Sequence, residues 1–199
     1  MAGSRKLEGK HLQRCLRMLE SVTETFDAHG LPYWLEGGTL LGVIREQRLL
    51  PWDTDIDLSI RAEDITLLTA CLPALRRQGL RLRLKHVEQH EPPFPPGAPR
   101  LLKIRSRRLY FFRGDALIDV FIKYRHGDDY HWLIGTRTHK SAPARFYDEL
   151  GSVTFNGRRY SIPRDVEDYL AFRYGDWRTP VTEWNTFRDD LAVKKPGTK

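Results

Sequence analysis

Apolar residues recur along this chain with two different periods, and the switching between them lays out a mixed α/β protein. From Leu7 to His29, Leu12, Cys15, Leu16, Leu19, Val22 and Phe26 fall at three- and four-residue steps, which predicts an amphipathic helix stopped by Gly30. A short strand, Tyr33 to Glu36, follows Pro32, and a short helix is expected over Thr39 to Glu46. Asp55 to Arg61 reads as a strand, and Glu63 to Gln78 as a helix with Pro73 as an irregularity. Leu80 to Val87 alternates leucine with basic residues, the pattern of a strand with one wet face.

The run Glu91 to Pro99, EPPFPPGAP, must be a loop, because its prolines cannot sit in a central strand. Two strands are expected next, Leu101 to Arg105 and Leu109 to Arg113. Ala116 to Tyr124, ALIDVFIKY, is almost continuously apolar, as a central buried strand should be. Asn156-Gly157 between SVTF and RRYSI is a type I′ hairpin signal. Asp165 to Tyr174 should be a helix ended by Gly175, and the polar last residues predict a frayed end.

Composition sets bounds on this picture. A chain of 199 residues with 40% hydrophobic and 30% charged residues suits one soluble domain with a real core. No apolar run approaches the roughly 20 residues that span a bilayer, and MAGSRKLEGK lacks the apolar centre of a signal peptide. Cys15 and Cys71 lack metal-ligand spacing and read as free thiols in a reducing compartment. The net charge of +7 fits either a solvated surface or an aid to binding a diphosphate or an anionic acceptor. RLRLK and KIRSRR are the short basic clusters, and no nucleic-acid reader motif accompanies them.

The chemistry concentrates in YWLEGGTLLGVIREQRLLPWDTDIDLSI, Tyr33 to Ile60. Residues two apart in an extended chain share a side, so Asp55 and Asp57 should project together, with Asp53 close by. Carboxylates so close repel unless a cation lies between them, and hard oxygen ligands suit Mg2+ or Mn2+. Gly37, Gly38 and Thr39 form either a plain tight turn or a helix start that offers N–H groups to a phosphate. Arg45 is either a phosphate clamp or a surface arginine. Asp119, in the middle of an apolar strand, needs a partner: an arginine, or a shared metal as a third carboxylate beside Asp55 and Asp57.

These residues resemble the LicD family, which includes fukutin and fukutin-related protein. The signature stands here as Gly38-Thr39-Leu40-Leu41-Gly42, Arg45, and Pro51-Trp52-Asp53-Thr54-Asp55-Ile56-Asp57. Ile118-Asp119-Val120-Phe121, Ile162-Pro163, Tyr169-Leu170 and Tyr174 to Pro180 match its later elements, so the likeness runs from about Pro32 to Pro180. Thr54 departs from it, standing where many relatives carry another aspartate.

The resemblance implies an α/β (α+β) nucleotidyltransferase-like mixed sheet flanked by helices, with a divalent cation held by Asp53, Asp55, Asp57 and Asp119. It implies transfer of a phospho-alcohol, such as phosphocholine or a phospho-alditol, from a CDP-linked donor to a hydroxyl of a cell-surface glycan, with release of CMP. Asp55, Asp57 and Asp119 would be catalytic, and Gly37, Gly38, Thr39, Arg45 and Trp177 would meet the donor. For Trp177 plain packing is the competing reading.

The expected organisation is an N-terminal helix over 1–30 packed on a domain over 31–185, then a flexible tail over 186–199. Fukutin-type relatives add a membrane anchor and a further domain. Neither pattern is seen in this sequence, so a compact cytoplasmic enzyme is expected, with any membrane contact peripheral at the inner surface. Two other classes stay open: a nucleotidyltransferase that uses an NTP and releases pyrophosphate, and a basic nucleic-acid-binding module whose carboxylates are structural.

Overall fold

The structure is a computed structural model and describes residues 5–88, 92–108, 112–135, 138–181 and 183–194. Helix α1, Gly9–Ala28, buries Cys15, Leu19, Val22 and Phe26, the stripe its periodicity requires. After it come strand β1, Trp34–Leu35, helix α2, Gly37–Glu46, and strand β2, Ile56–Arg61. Helix α3, Ile65–Arg77, runs through Pro73, and strand β3 spans Arg81–His86.

Strands β4, Pro99–Arg108, and β5, Phe112–His126, are followed by β6, Asp129–Ile134, and β7, Thr138–Pro143. A hairpin of β8, Leu150–Phe155, and β9, Arg158–Pro163, precedes helix α4, Val166–Tyr174. At the hairpin turn Asn156 and Gly157 both have positive φ, 49° and 76°, the left-handed backbone that a type I′ turn demands.

The main sheet has the order β1-β2-β5-β4-β3, with β2 parallel to β5 and the other neighbours antiparallel. Register sorts its residues into two faces, because residues paired across strands point the same way. Ile56, Ile118, Ile104 and Leu82 form one row, and Leu58, Val120, Leu102 and Leu84 the next. These rows belong to the same core as the buried residues of α1 and α3. Each fully buried aliphatic side chain there contributes about 2 kcal/mol. The opposite face carries the row Asp57, Asp119, Lys103 and Arg83, and beside it Ser59, Phe121, Leu101 and Lys85. One face makes the core, and the other is left for chemistry.

Several expectations need correction. The strand expected at Leu101 to Arg105 extends to Arg108; of the next one, residues 109–111 lie outside the described residues, while Phe112 and Arg113 open β5. Of the loop Glu91 to Pro99, Glu91 lies outside them and Pro99 already starts β4. Strands β6 and β7 have no counterpart in the sequence reading: THKSAP lacks an apolar alternation, and pairing with β6 makes it a strand. Residues 186–194, expected as part of a tail, are tied down. Asp190 is 2% exposed between Lys140 and Arg173, and Val193 bridges to Lys140. The cause is tertiary, since nothing in the local polar composition shows the two buried cations waiting for Asp190. Residues 195–199 lie outside the described residues.

Candidate active site

Helix α2 begins where β1 ends, and its first turn faces the loop that leads into β2. Glu36 caps the helix by accepting from the Gly37 N–H at 3.1 Å, and its own N–H donates to the Asp57 carbonyl at 3.0 Å. The Asp57 N–H donates to Thr39 Oγ1 at 2.9 Å, so Thr39 locks the acidic strand against the helix start. The glycines are a steric requirement. Gly37 has φ +56°, and a Cβ there would stand 2.5 Å from Asp57 Oδ2. A Cβ on Gly38 would collide with Asp53 Oδ2. The bare backbone lets two carboxylates lie against a helix N-terminus, where the aligned peptide dipoles favour negative charge.

Even so, the acidic cluster is under electrostatic stress. Burial, then the charges of Asp53 and Asp119, push the Asp55 carboxyl up to about 7. Asp57 is raised well above the usual carboxylate range, first by burial and then by Asp55, Asp53, Asp119 and Glu36. Burial also raises Asp53, which hydrogen-bonds with Asp55.

Asp119 stands directly opposite Asp57 on the neighbouring strand, as expected. Its partner is Lys103, one strand further, through Oδ2. Its Oδ1 is buried and has no hydrogen-bond partner among the described residues. A divalent cation fits this donor set: repelling carboxylates, a cradle without Cβ atoms, and an idle buried oxygen. Among the described residues no group of three or more His, Cys, Asp or Glu side chains is placed to hold a metal ion by itself. Mg2+ commonly takes only one or two carboxylates, the rest of its shell coming from water and substrate phosphate.

A second group of charges adjoins the first and was not anticipated. Glu36 is paired with Lys123 at 2.6 Å and with Arg173 at 2.6 Å. Arg173 reaches Asp190 at 2.5 Å, and Asp190 reaches Lys140 at 2.5 Å. Lys123 Nζ also lies 3.7 Å from the centre of the Trp132 ring and donates to Tyr147 Oη at 2.8 Å. Burial would raise the Glu36 carboxyl, but Lys123 and Arg173 hold it well below the usual range. Lys123 falls to about 7 through burial, which Glu36 opposes. A signal existed in the sequence: Lys123 shares the strand phase of Asp119, so ALIDVFIKY places two charges on one face.

A cavity of about 610 Å3 connects these parts, and its lining includes Gly37, Asp53, Asp55, Asp57, Asp119 and Trp177. Trp177 is 6% exposed, and its Nε1 is buried without a partner among the described residues. Arg45 also lines the cavity, but its guanidinium pairs with Glu46 at 2.6 Å and donates to the Trp177 carbonyl at 3.2 Å. It braces the segment after α4, and a role as phosphate clamp would require Glu46 to release it.

A helix that starts on two glycines and faces an acidic strand is the construction of a nucleotidyltransferase-like domain. Comparison with known proteins agrees: a family model described as "LicD/FKTN/FKRP, nucleotidyltransferase domain" matches residues 30–165. The chain belongs to the LicD family. It is similar to the human ribitol-5-phosphate transferase FKTN, 25% identical over 186 residues, which are 90% of this chain and 36% of that protein. An uncharacterised protein of Rickettsia prowazekii is 32% identical over 86% of this chain and 58% of its own length. The lipopolysaccharide cholinephosphotransferase LicD of Haemophilus influenzae is 36% identical over 50 residues, 25% of this chain and 19% of that protein. The chain thus spans less than two thirds of these relatives.

A solved structure of ANT(2")-Ia with adenylyl-2"-tobramycin aligns at a TM-score of 0.47 and 21% identity, covering 86% of this chain and 81% of that one. That likeness adds nothing to the family assignment. No helix among the described residues is long and apolar enough to cross a membrane.

Proposed function

We propose that this chain is a metal-dependent phosphotransferase that moves a phospho-alcohol from a CDP-linked donor to a glycan hydroxyl and releases CMP. The observation that carries the reading is the acidic cluster: Asp53 and Asp57 lie against the first turn of α2 with Asp55 between them in sequence, all three carboxyls are raised, and none of them has an ion-pair partner among the described residues. The names of FKTN and LicD, a ribitol-phosphate and a choline-phosphate transferase, support the choice of a phospho-alcohol.

Asp53, Asp55, Asp57 and Asp119 are the residues that would hold Mg2+ or Mn2+. The ion's chemistry is to neutralise the donor diphosphate and stabilise charge in phosphoryl transfer. The chain's own groups do the rest. The Gly37 N–H is taken by Glu36, and the N–H groups that follow it in the first turn of α2 would meet the diphosphate oxygens. Lys103 holds Oδ2 of Asp119, so Oδ1 would take the acceptor's proton where the cation sits on Asp53, Asp55 and Asp57 and leaves that oxygen free. The acceptor oxygen then bonds to the distal phosphorus, and the bond from that phosphorus to the bridging oxygen breaks, so the electron pair leaves with CMP. Trp177 lines the cavity with an unspent N–H, and the Arg178 guanidinium 4.3 Å from its ring centre covers one ring face.

The test is product analysis with CDP-choline, CDP-ribitol and other CDP-alcohols, with and without Mg2+. CMP release that requires both the metal and Asp57 supports the proposal. Pyrophosphate release from an NTP would instead make the chain a nucleotidyltransferase.

A further inference from the structure

We propose that the basic strip from Lys103 to Arg83 and Lys85 is the acceptor track of this site, and that it takes a glycan carrying a phosphate or carboxylate close to the reacting hydroxyl. The inference rests on the transferase reading and deepens it. Asp57, Asp119, Lys103 and Arg83 form one row across four strands, so the acidic and basic ends are about 14 Å apart at ordinary strand spacing. Lys85 stands on the same face, two residues along β3 from Arg83. Lys85, Arg100 and Lys103 line the cavity that also holds the aspartates.

Of these cations, Lys85 and Arg100 are left with donors unspent. Lys103 spends its charge on Asp119. Lys85 has no ion-pair partner among the described residues, and burial, then Lys103, Arg100 and Arg83, hold its ammonium below the usual value. Arg100 is 3% exposed, spends Nε on the His86 carbonyl at 3.1 Å, and has a buried Nη1 with no partner among the described residues. An idle buried donor is destabilising, because it has lost water without gaining a partner. A bound oxyanion would satisfy it and quench the repulsion around it.

The donor diphosphate does not need this strip, because its own end of the cavity is the start of α2 beside Asp53 and Asp57. An acceptor must place its hydroxyl at Asp119, and from there the face leads to Lys103 and Lys85. A single-stranded nucleic acid would want successive aromatic faces. These two rows offer Phe121 as their one aromatic ring.

The experiment measures binding of four probes to the whole chain by calorimetry at low and raised salt. They are a short glycerol-phosphate oligomer, tetragalacturonate, uncharged maltohexaose and oligothymidylate. The expected result is salt-sensitive binding of one or both anionic oligomers. The variant Arg83→Glu/Lys85→Glu should lose about tenfold or more of that affinity with an unchanged melting temperature. Arg83→Glu alone, at an exposed position, should lose part of it and keeps the test valid if the pair misfolds. Binding indifferent to these charges, equal binding of maltohexaose, or tighter binding of oligothymidylate would overturn the inference. CMP release from CDP-alcohols is read separately on the same variants. Charge-dependent glycan binding without any CMP release would overturn the transferase reading and leave the anion site standing. CMP release with charge-indifferent binding would overturn the acceptor track alone.

Discussion

Two clusters of ionisable groups lie side by side in this protein and are built on opposite principles. Asp53, Asp55 and Asp57 carry one sign, repel each other and are pushed toward protonation. Glu36, Lys123, Arg173, Asp190 and Lys140 alternate in sign, and each charge meets an opposite one. Burial penalises both. The second cluster offsets that penalty internally, which is what a scaffold needs. The first leaves it uncompensated, which is what a site for an external cation needs. Glu36 joins them, because it belongs to the paired network and also caps α2 at the mouth of the repelling one.

The sharpest way to break this contrast is to neutralise one member of each cluster. Asp57→Asn should lower CMP release by about a thousandfold or more, since it removes a group acting on the transition-state charge. Its melting temperature without metal should be kept or raised, because an amide replaces a carboxyl that burial and its neighbours disfavour when ionised. A marked fall would make the acidic cluster structural.

Arg173→Met should do the reverse. It strands Glu36 and Asp190 as buried charges without their guanidinium, at a cost of about 3–5 kcal/mol in denaturant unfolding. A loss under about 1 kcal/mol would show that the network is not a scaffold.

The contrast also has a pH signature. Asp55 has a folded value of about 7, above its unfolded value near 4. Between those values the folded state binds more protons than the unfolded one, so metal-free stability falls as pH rises. The expected loss from pH 5 to 7.5 is on the order of 2 kcal/mol, read as a falling melting temperature. Asp55→Asn should flatten that slope, and Mg2+ should restore stability most at the higher pH. A slope unchanged in Asp55→Asn would place the titration elsewhere.

The smallest effect is expected at Trp177, beside the acidic cluster. Trp177→Phe should cost about 1 kcal/mol of stability, because Nε1 has no partner to lose. Donor affinity should weaken a few-fold. Unchanged donor affinity would make Trp177 a packing residue.

The legible parts of the sequence were those where local pattern and final environment agree. Alternation placed Asp57 and Asp119 on buried strands, the Gly37-Gly38 pair marked a helix start, and Asn156-Gly157 marked a hairpin. What stayed hidden was set by pairing. Strand β7 exists because β6 offers it a ladder. Asp119 answers to Lys103, a lysine rather than an arginine, because β4 inserts beside β5. Asp190 looks like a tail residue until the fold brings Lys140 and Arg173 to it.

The sequence by itself determined the alternation of helix and strand, the acidic strand and its glycine cradle, because these depend on side-chain period and on backbone freedom within a few residues. Only the tertiary structure decided which charges are compensated. A charge inside a protein is stabilised by whatever the rest of the chain brings within a few ångströms, and Glu36 and Arg173 meet across 137 positions of sequence.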